Sequence, residues 1–180
     1  MRVITFSRYF PKGHPKAGQP THFVEKIWKA LSKKAVKEDF YLNNRINEYM
    51  GFLEEQKIEV LSYYDAISKH HTIRGGNRWK VGDVFSPRVW SDKPYRSKQI
   101  EFAPPIEIKK IWNFTIEPHD VHGFAMHIDG HYVADWRPKT ANIDLKELAK
   151  NDGLSKEDFI TWFPKHFAGQ IICWNENINY

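Results

Sequence analysis

The chain has 180 residues, 41% of them hydrophobic and 15% aromatic, enough for one domain with a buried core and too apolar for a disordered segment. No run approaches the roughly 18 apolar residues of a membrane helix, so no helical span is expected. A net charge of +5 favours an acidic partner without identifying one. The opening "MRVITFSRYF" lacks the apolar core of a secretion signal. The lone Cys173 fits a reducing compartment, so a cytoplasmic location is expected.

"RVITF" is a β-branched and aromatic run that predicts a first strand. "PKGHPKAGQP", with three prolines and two glycines, must be a loop. Thr21 then caps a helix in which Phe23, Ile27 and Leu31 form one stripe. Asp39 opens a second helical region, with Leu42, Ile46, Tyr49 and Leu53 recurring every three or four residues. A third segment, "EVLSYYDAISKHH", is apolar at Leu61, Tyr64 and Ile67 and reads as a helix ending near residue 71.

After residue 72 the pattern turns to strands. "TIR", "DVFSPRVW", "KQIEFA", "IEIKKIWNFTI" and "FAMHIDGHYVADW" are separated by Gly, Pro or Asp turns, and "HIDGHY" predicts a two-residue hairpin. "DLKELAK" returns to helix and "NDG" turns. Ser155 and Asp158 form a capping box for a last helix with Phe159, Ile160 and Phe163 inward and Pro164 near its end. "GQIICW" closes as a strand, with Cys173 buried on it. This order defines an α+β fold, and the succession of short strands favours a strongly bent sheet or small barrel. No glycine-rich phosphate loop follows a strand, which argues against a nucleoside-triphosphate enzyme.

Three constellations carry chemistry. In "SKHHTIRGGNRWKVGD", a helix-to-strand junction would aim Lys69 and Thr72 into one mouth, with Arg74 as a planar fork for a carbonyl, carboxylate or phosphate. A hydroxyl becomes a nucleophile only when a neighbour takes its proton, and a lysine does so only with a lowered pKa. His71 beside them suits a proton carrier or stacking partner. An ordinary junction with a solvated lysine accounts for the same spacing.

In "SPRVWSDKPYRSKQ", Arg88, Lys93, Arg96 and Lys98 alternate with Trp90 and Tyr95, and Arg78, Trp79 and Lys80 precede them. Cations that track phosphates and rings that stack bases are the equipment for single-stranded nucleic acid, at about 1–3 kcal/mol per stacked base. A solvated basic hairpin with its aromatics packed inward is the alternative. The histidines of "HDVHGFAMHIDGH" invite a zinc reading, but an Asp-Gly hairpin sends His127 and His131 to opposite faces. No metal or cofactor is expected.

"KHHTIR" followed by "RWKVGDVF" resembles the signature of the ASCH domain, a member of the PUA-like superfamily, and "AKNDGLSKEDFITWFPKHF" is similar to that family's later element. The resemblance implies a single domain over residues 1–180, a PUA-like small β-barrel flanked by helices, with residues 32–67 as an N-terminal helical insertion. It implies recognition of RNA, a nucleobase or a nucleoside in a cleft near Lys69, Thr72, Arg74 and Asp152. One branch of the family resembles amidohydrolases acting on acetylcytidine, whose lysine, threonine and glutamate fall on Lys69, Thr72 and Asp152. The aspartate is a departure, reaching about 1.5 Å less far than glutamate. A third reading assigns the insertion to a protein partner. The binding and hydrolytic readings require Lys69, Thr72 and Asp152 to open into a common recess.

Overall fold

In the computed structural model, the residues described are 1–32, 40–58, 60–62, 65–119, 123–134, 145–163 and 166–180. Among them are four helices and nine strands, in the order β1 (Arg2–Thr5), α1 (Phe23–Ser32), α2 (Phe40–Glu55), β2 (His71–Gly75), β3 (Val84–Trp90), β4 (Gln99–Glu101), β5 (Ile106–Glu107), β6 (Lys110–His119), β7 (Gly123–Ile128), β8 (His131–Ala134), α3 (Leu145–Asn151), α4 (Lys156–Trp162) and β9 (Phe167–Cys173). The fold is mixed α+β. No helix among the described residues is long and apolar enough to cross a membrane. The chain gathers into two units, each discontinuous in sequence: Met1–Ser68 with Val84–Glu107, and Lys69–Asp83 with Ile108–Tyr180.

The first unit is built on β3. It pairs in parallel with β1 and antiparallel with β4 and β5. The helix α1 starts after Thr21, whose hydroxyl donates to the Ser7 carbonyl at 2.6 Å and faces the Phe23 amide at 3.4 Å. Its buried side carries Phe23, Val24, Ile27 and Trp28, and also the acid Glu25. Trp28 donates its indole N–H to the Phe102 carbonyl at 2.8 Å and meets the Tyr49 ring edge-on. Tyr49, Leu42 and Leu53 form the buried seam of α2. Burying rings of this size supplies much of a domain's apolar stabilisation.

The second unit is an antiparallel sheet in the order β2-β9-β6-β7-β8. Because the pleat alternates, register fixes the faces. His71 pairs with Cys173, Lys110 with Cys173 and Phe114 with Gly169, so these residues share one face. On that face Phe159 and Phe163 meet the Phe114 ring at 6.4 and 6.0 Å, which places α4 and the chain just beyond it against this side. The other face carries Thr72, Arg74, Gln170 and Ile172. Gly169 has no room for a side chain: a Cβ there would sit 2.1 Å from the Arg74 carbonyl oxygen.

Several expectations change. The described strands form two sheets, and neither closes into a barrel. The described residues between Val60 and His70 contain no helix, although the segment has helical spacing at Leu61 and Ile67. Ile67 is 43% exposed, so its side chain is not sealed into a core as a packed helical stripe would require. Tyr64, Asp39 and Pro164 lie outside the described residues. "IEIKKIWNFTI" divides into β5 and β6. The hairpin forms as expected, with Asp129 and Gly130 at φ 49° and 79° and Ile128 opposite His131.

Candidate functional site

The Lys69 ammonium is buried on the second unit. Asp152 follows the last turn of α3, where Gly153, at φ 77°, lets its N–H bond back to the Lys150 carbonyl. Lys69 Nζ donates to the backbone carbonyl of Asp152 and, at 2.6 Å, to its carboxylate Oδ1. A cation at this point also offsets the negative end of the helix. His71 approaches the same Oδ1 from β2, its Nδ1 3.5 Å away. Three titratable side chains are thus sealed together, Lys69 at 1% exposure, His71 at 0% and Asp152 at 4%.

Burial pushes the Lys69 pKa down to about 8; the attraction of Asp152 opposes this and the positive charge of Arg74 adds to it. Burial likewise lowers the His71 pKa, against the pull of Asp152, so the imidazole stays neutral near neutral pH. For Asp152 burial works upward, but Lys69 and His71 together outweigh it and hold the carboxyl below its usual range. Two nitrogens converging on a single oxygen thus keep Asp152 ionised. Tyr180 covers the cluster: its ring meets His71 edge-on at 5.6 Å and Trp112 at 5.0 Å, and Asn151 Nδ2 donates to its hydroxyl at 3.0 Å. Burial raises the pKa of that hydroxyl.

The proposed common recess is absent from this arrangement. His71 and Thr72 are consecutive in an extended strand and project to opposite faces, and His71 shares Asp152 with Lys69. Thr72, also buried, lies on the far side with Arg74. Lys69 and Asp152 come together as the resemblance implies, and Thr72 does not join them. Trp79 is corrected as well. It is 5% exposed and clamped by Gln170, which accepts from its N–H and donates to its carbonyl, each at 3.1 Å. A ring held in the core cannot stack a base. Arg78 and Lys80 beside it are exposed.

The basic hairpin belongs to the first unit. Residues 91–98 link β3 to β4 in a loop closed by Ser91 N–H to the Lys98 carbonyl at 2.8 Å. Ser97 fixes its interior, donating to the Lys93 carbonyl and accepting from the Asp92 N–H, both at 3.0 Å. At its tip Tyr95 stands 89% exposed, with φ 63°, and its ring lies 5.5 Å from that of half-buried Trp90. Lys93, Arg96 and Lys98 are exposed around it. Arg88 is different: its Nε donates to Ser86 Oγ at 2.9 Å and its Nη2 lies 3.5 Å from Glu101, which also holds Arg45 at 3.2 Å. That acid offsets part of the charge of both arginines.

Among the described residues no three His, Cys, Asp or Glu side chains gather as metal ligands. At the start of α2, Phe40 and Tyr41 are exposed side by side, their rings 6.0 Å apart. The sequence reading missed the roles of Tyr180 and Asn151, which no local pattern announces. Comparison with protein-family models, with curated proteins and with solved structures found no match to this chain.

Proposed function

We propose that the chain is an ASCH-like cytoplasmic module, related to PUA-like folds through open sheets, that recognises single-stranded RNA. The observation that carries this reading is the Trp90–Tyr95 platform on an ordered loop with three exposed cations. An aromatic ring left in water at the tip of a loop braced by internal hydrogen bonds is already placed for stacking, so little ordering entropy is lost on binding. Tyr95→Ala removes an exposed ring without touching the core, and is expected to weaken binding of a labelled single-stranded RNA about tenfold by anisotropy, one stacked base's worth. Unchanged affinity would remove the platform from the reading.

A second reading, hydrolysis of an acylated nucleoside, is favoured by one observation: the Lys69 pKa of about 8 brings its amine into working range for a base. Water would have to replace Thr72 as the nucleophile, and Tyr180 would have to move. Acetate released from acetylcytidine by the wild type, and by Lys69→Ala at under one hundredth of that rate, is its expected signature. No release from the wild type ends it.

A further inference from the structure

The first unit contains a recess that neither the hairpin nor the lysine motif accounts for, and we propose that it binds a guanine base. It opens to solvent, and its walls include Arg8, Tyr9, His22, Phe23, Glu25 and Tyr49. Three of those six are aromatic, and one is an acid buried to 5% exposure. His22 Nδ1 lies 3.6 Å from the Glu25 carboxylate, too long for a hydrogen bond. Glu25 lines the recess, and an ionised carboxylate there can only accept hydrogen bonds.

The ligand that fits is a flat ring presenting two N–H donors side by side. Guanine does so on its Watson–Crick edge, through the ring N1–H and the exocyclic amine. Adenine and cytosine pair an amine with an acceptor nitrogen, which a carboxylate repels. Uracil sets one N–H between two carbonyls. A single carboxylate in an aromatic recess therefore selects guanine, in the way single-stranded bases are read.

Two further details suit the task. His22 takes φ 55°, a left-handed conformation costly for a residue with a side chain, and this sets its ring beside Glu25. Arg8 ties the recess to the hairpin: Nη1 donates to the Ser91 carbonyl at 2.8 Å, Nη2 to the Tyr9 hydroxyl at 3.2 Å, and its guanidinium lies over the Tyr9 and Phe52 rings at 5.3 and 5.1 Å. A strand followed by Lys93, Arg96 and Lys98 can thus turn one base out of its stack and into the recess. The strand source rests on the RNA reading above; free guanosine is the other source of the same edge.

The test uses the full chain and two sets of probes: guanosine, inosine and cytidine by calorimetry, and uridine 10-mers carrying one guanosine or one inosine by anisotropy. Inosine lacks only the exocyclic amine. Guanine is expected to bind about tenfold or more tightly than inosine, the scale of one lost hydrogen-bonded pair. Glu25→Gln, checked for folding by its melting curve, is expected to erase the preference. The wild-type comparison needs no variant, so a misfolded Glu25→Gln leaves the test intact. Guanosine and inosine binding alike overturns the proposal. A guanine strand bound no better than plain uridine, with Tyr95 still required, overturns the recess and leaves the RNA reading standing. Free guanosine bound selectively with no strand binding supports the recess and sinks the RNA reading. No binding of any probe overturns both.

Discussion

Asp152→Ala is expected to cost about 3–5 kcal/mol of folding stability, because it leaves the Lys69 ammonium buried without its counter-charge. Urea unfolding should show this as a lowered midpoint at unchanged slope. Replacing both partners by apolar residues of similar size, Lys69→Met with Asp152→Leu, should recover most of the loss, since the desolvation of both charges disappears together. The wild type also carries a pH signature. Lys69 has a folded pKa of about 8 against an ordinary 10.5, so between those values the unfolded chain holds more protons. Stability from this group must therefore rise as pH climbs from about 8 to 10.5, by of order 3 kcal/mol in all. Asp152 works in the same direction at the acid end: its folded pKa lies below the usual 3.8, so its contribution is present above that value and lost as acid takes pH through the folded one. His71, lowered from 6.5, adds a penalty on acidification below that value, because the unfolded chain takes up its proton first. Subtracting the Lys69→Met profile from the wild type isolates the alkaline rise from the other titrating groups. A flat difference between pH 8 and 10.5 would mean that the ammonium is not desolvated.

How the cluster forms also shows which parts of the sequence could be read. Local chemistry could: the Asp129-Gly130 turn, the Ser155 cap, which accepts from Asp158 N–H at 3.1 Å, and the α1 stripe each depend on residues within one turn of each other. The pairing of Lys69 with Asp152 came from a family resemblance, across 83 residues of chain. The placement of Thr72 failed for a local reason. Helical spacing at Leu61 and Ile67 suggests a helix reaching the motif, which would swing residues 69 and 72 to one side. The ladder instead extends backward, with Trp174 N–H bonding the His70 carbonyl, and in extended chain a separation of three reverses the face. Glu25 carried a readable sign, a charge within the apolar stripe of α1. Its meaning depends on Arg8 and Tyr9, which line the same recess, and no periodicity encodes that. The division of the nine described strands into two sheets was equally hidden, since short strands do not name their partners.

Raising salt from 50 to 200 mM is expected to weaken RNA binding about 20-fold if Lys93, Arg96 and Lys98 each meet one phosphate, by the slope of roughly −0.7 per contact for single strands. The ion-pair geometry sharpens the expectation. Arg88 lies beside Glu101, which Ser86 Oγ also engages at 2.6 Å, so its charge is partly offset within the protein before any RNA arrives. Arg88→Gln should therefore leave the salt slope nearly unchanged. Neutralising the three loop cations together should flatten the slope and, at low salt, cost about what salt costs the wild type. Tyr95→Ala should do neither: a stacked ring contributes affinity without releasing counterions, so its loss lowers the whole salt curve in parallel. The two kinds of variant thus separate stacking from charge on one loop. A wild-type slope near zero, or one that Arg88→Gln reduces as much as the triple variant, would place the phosphates somewhere other than this hairpin.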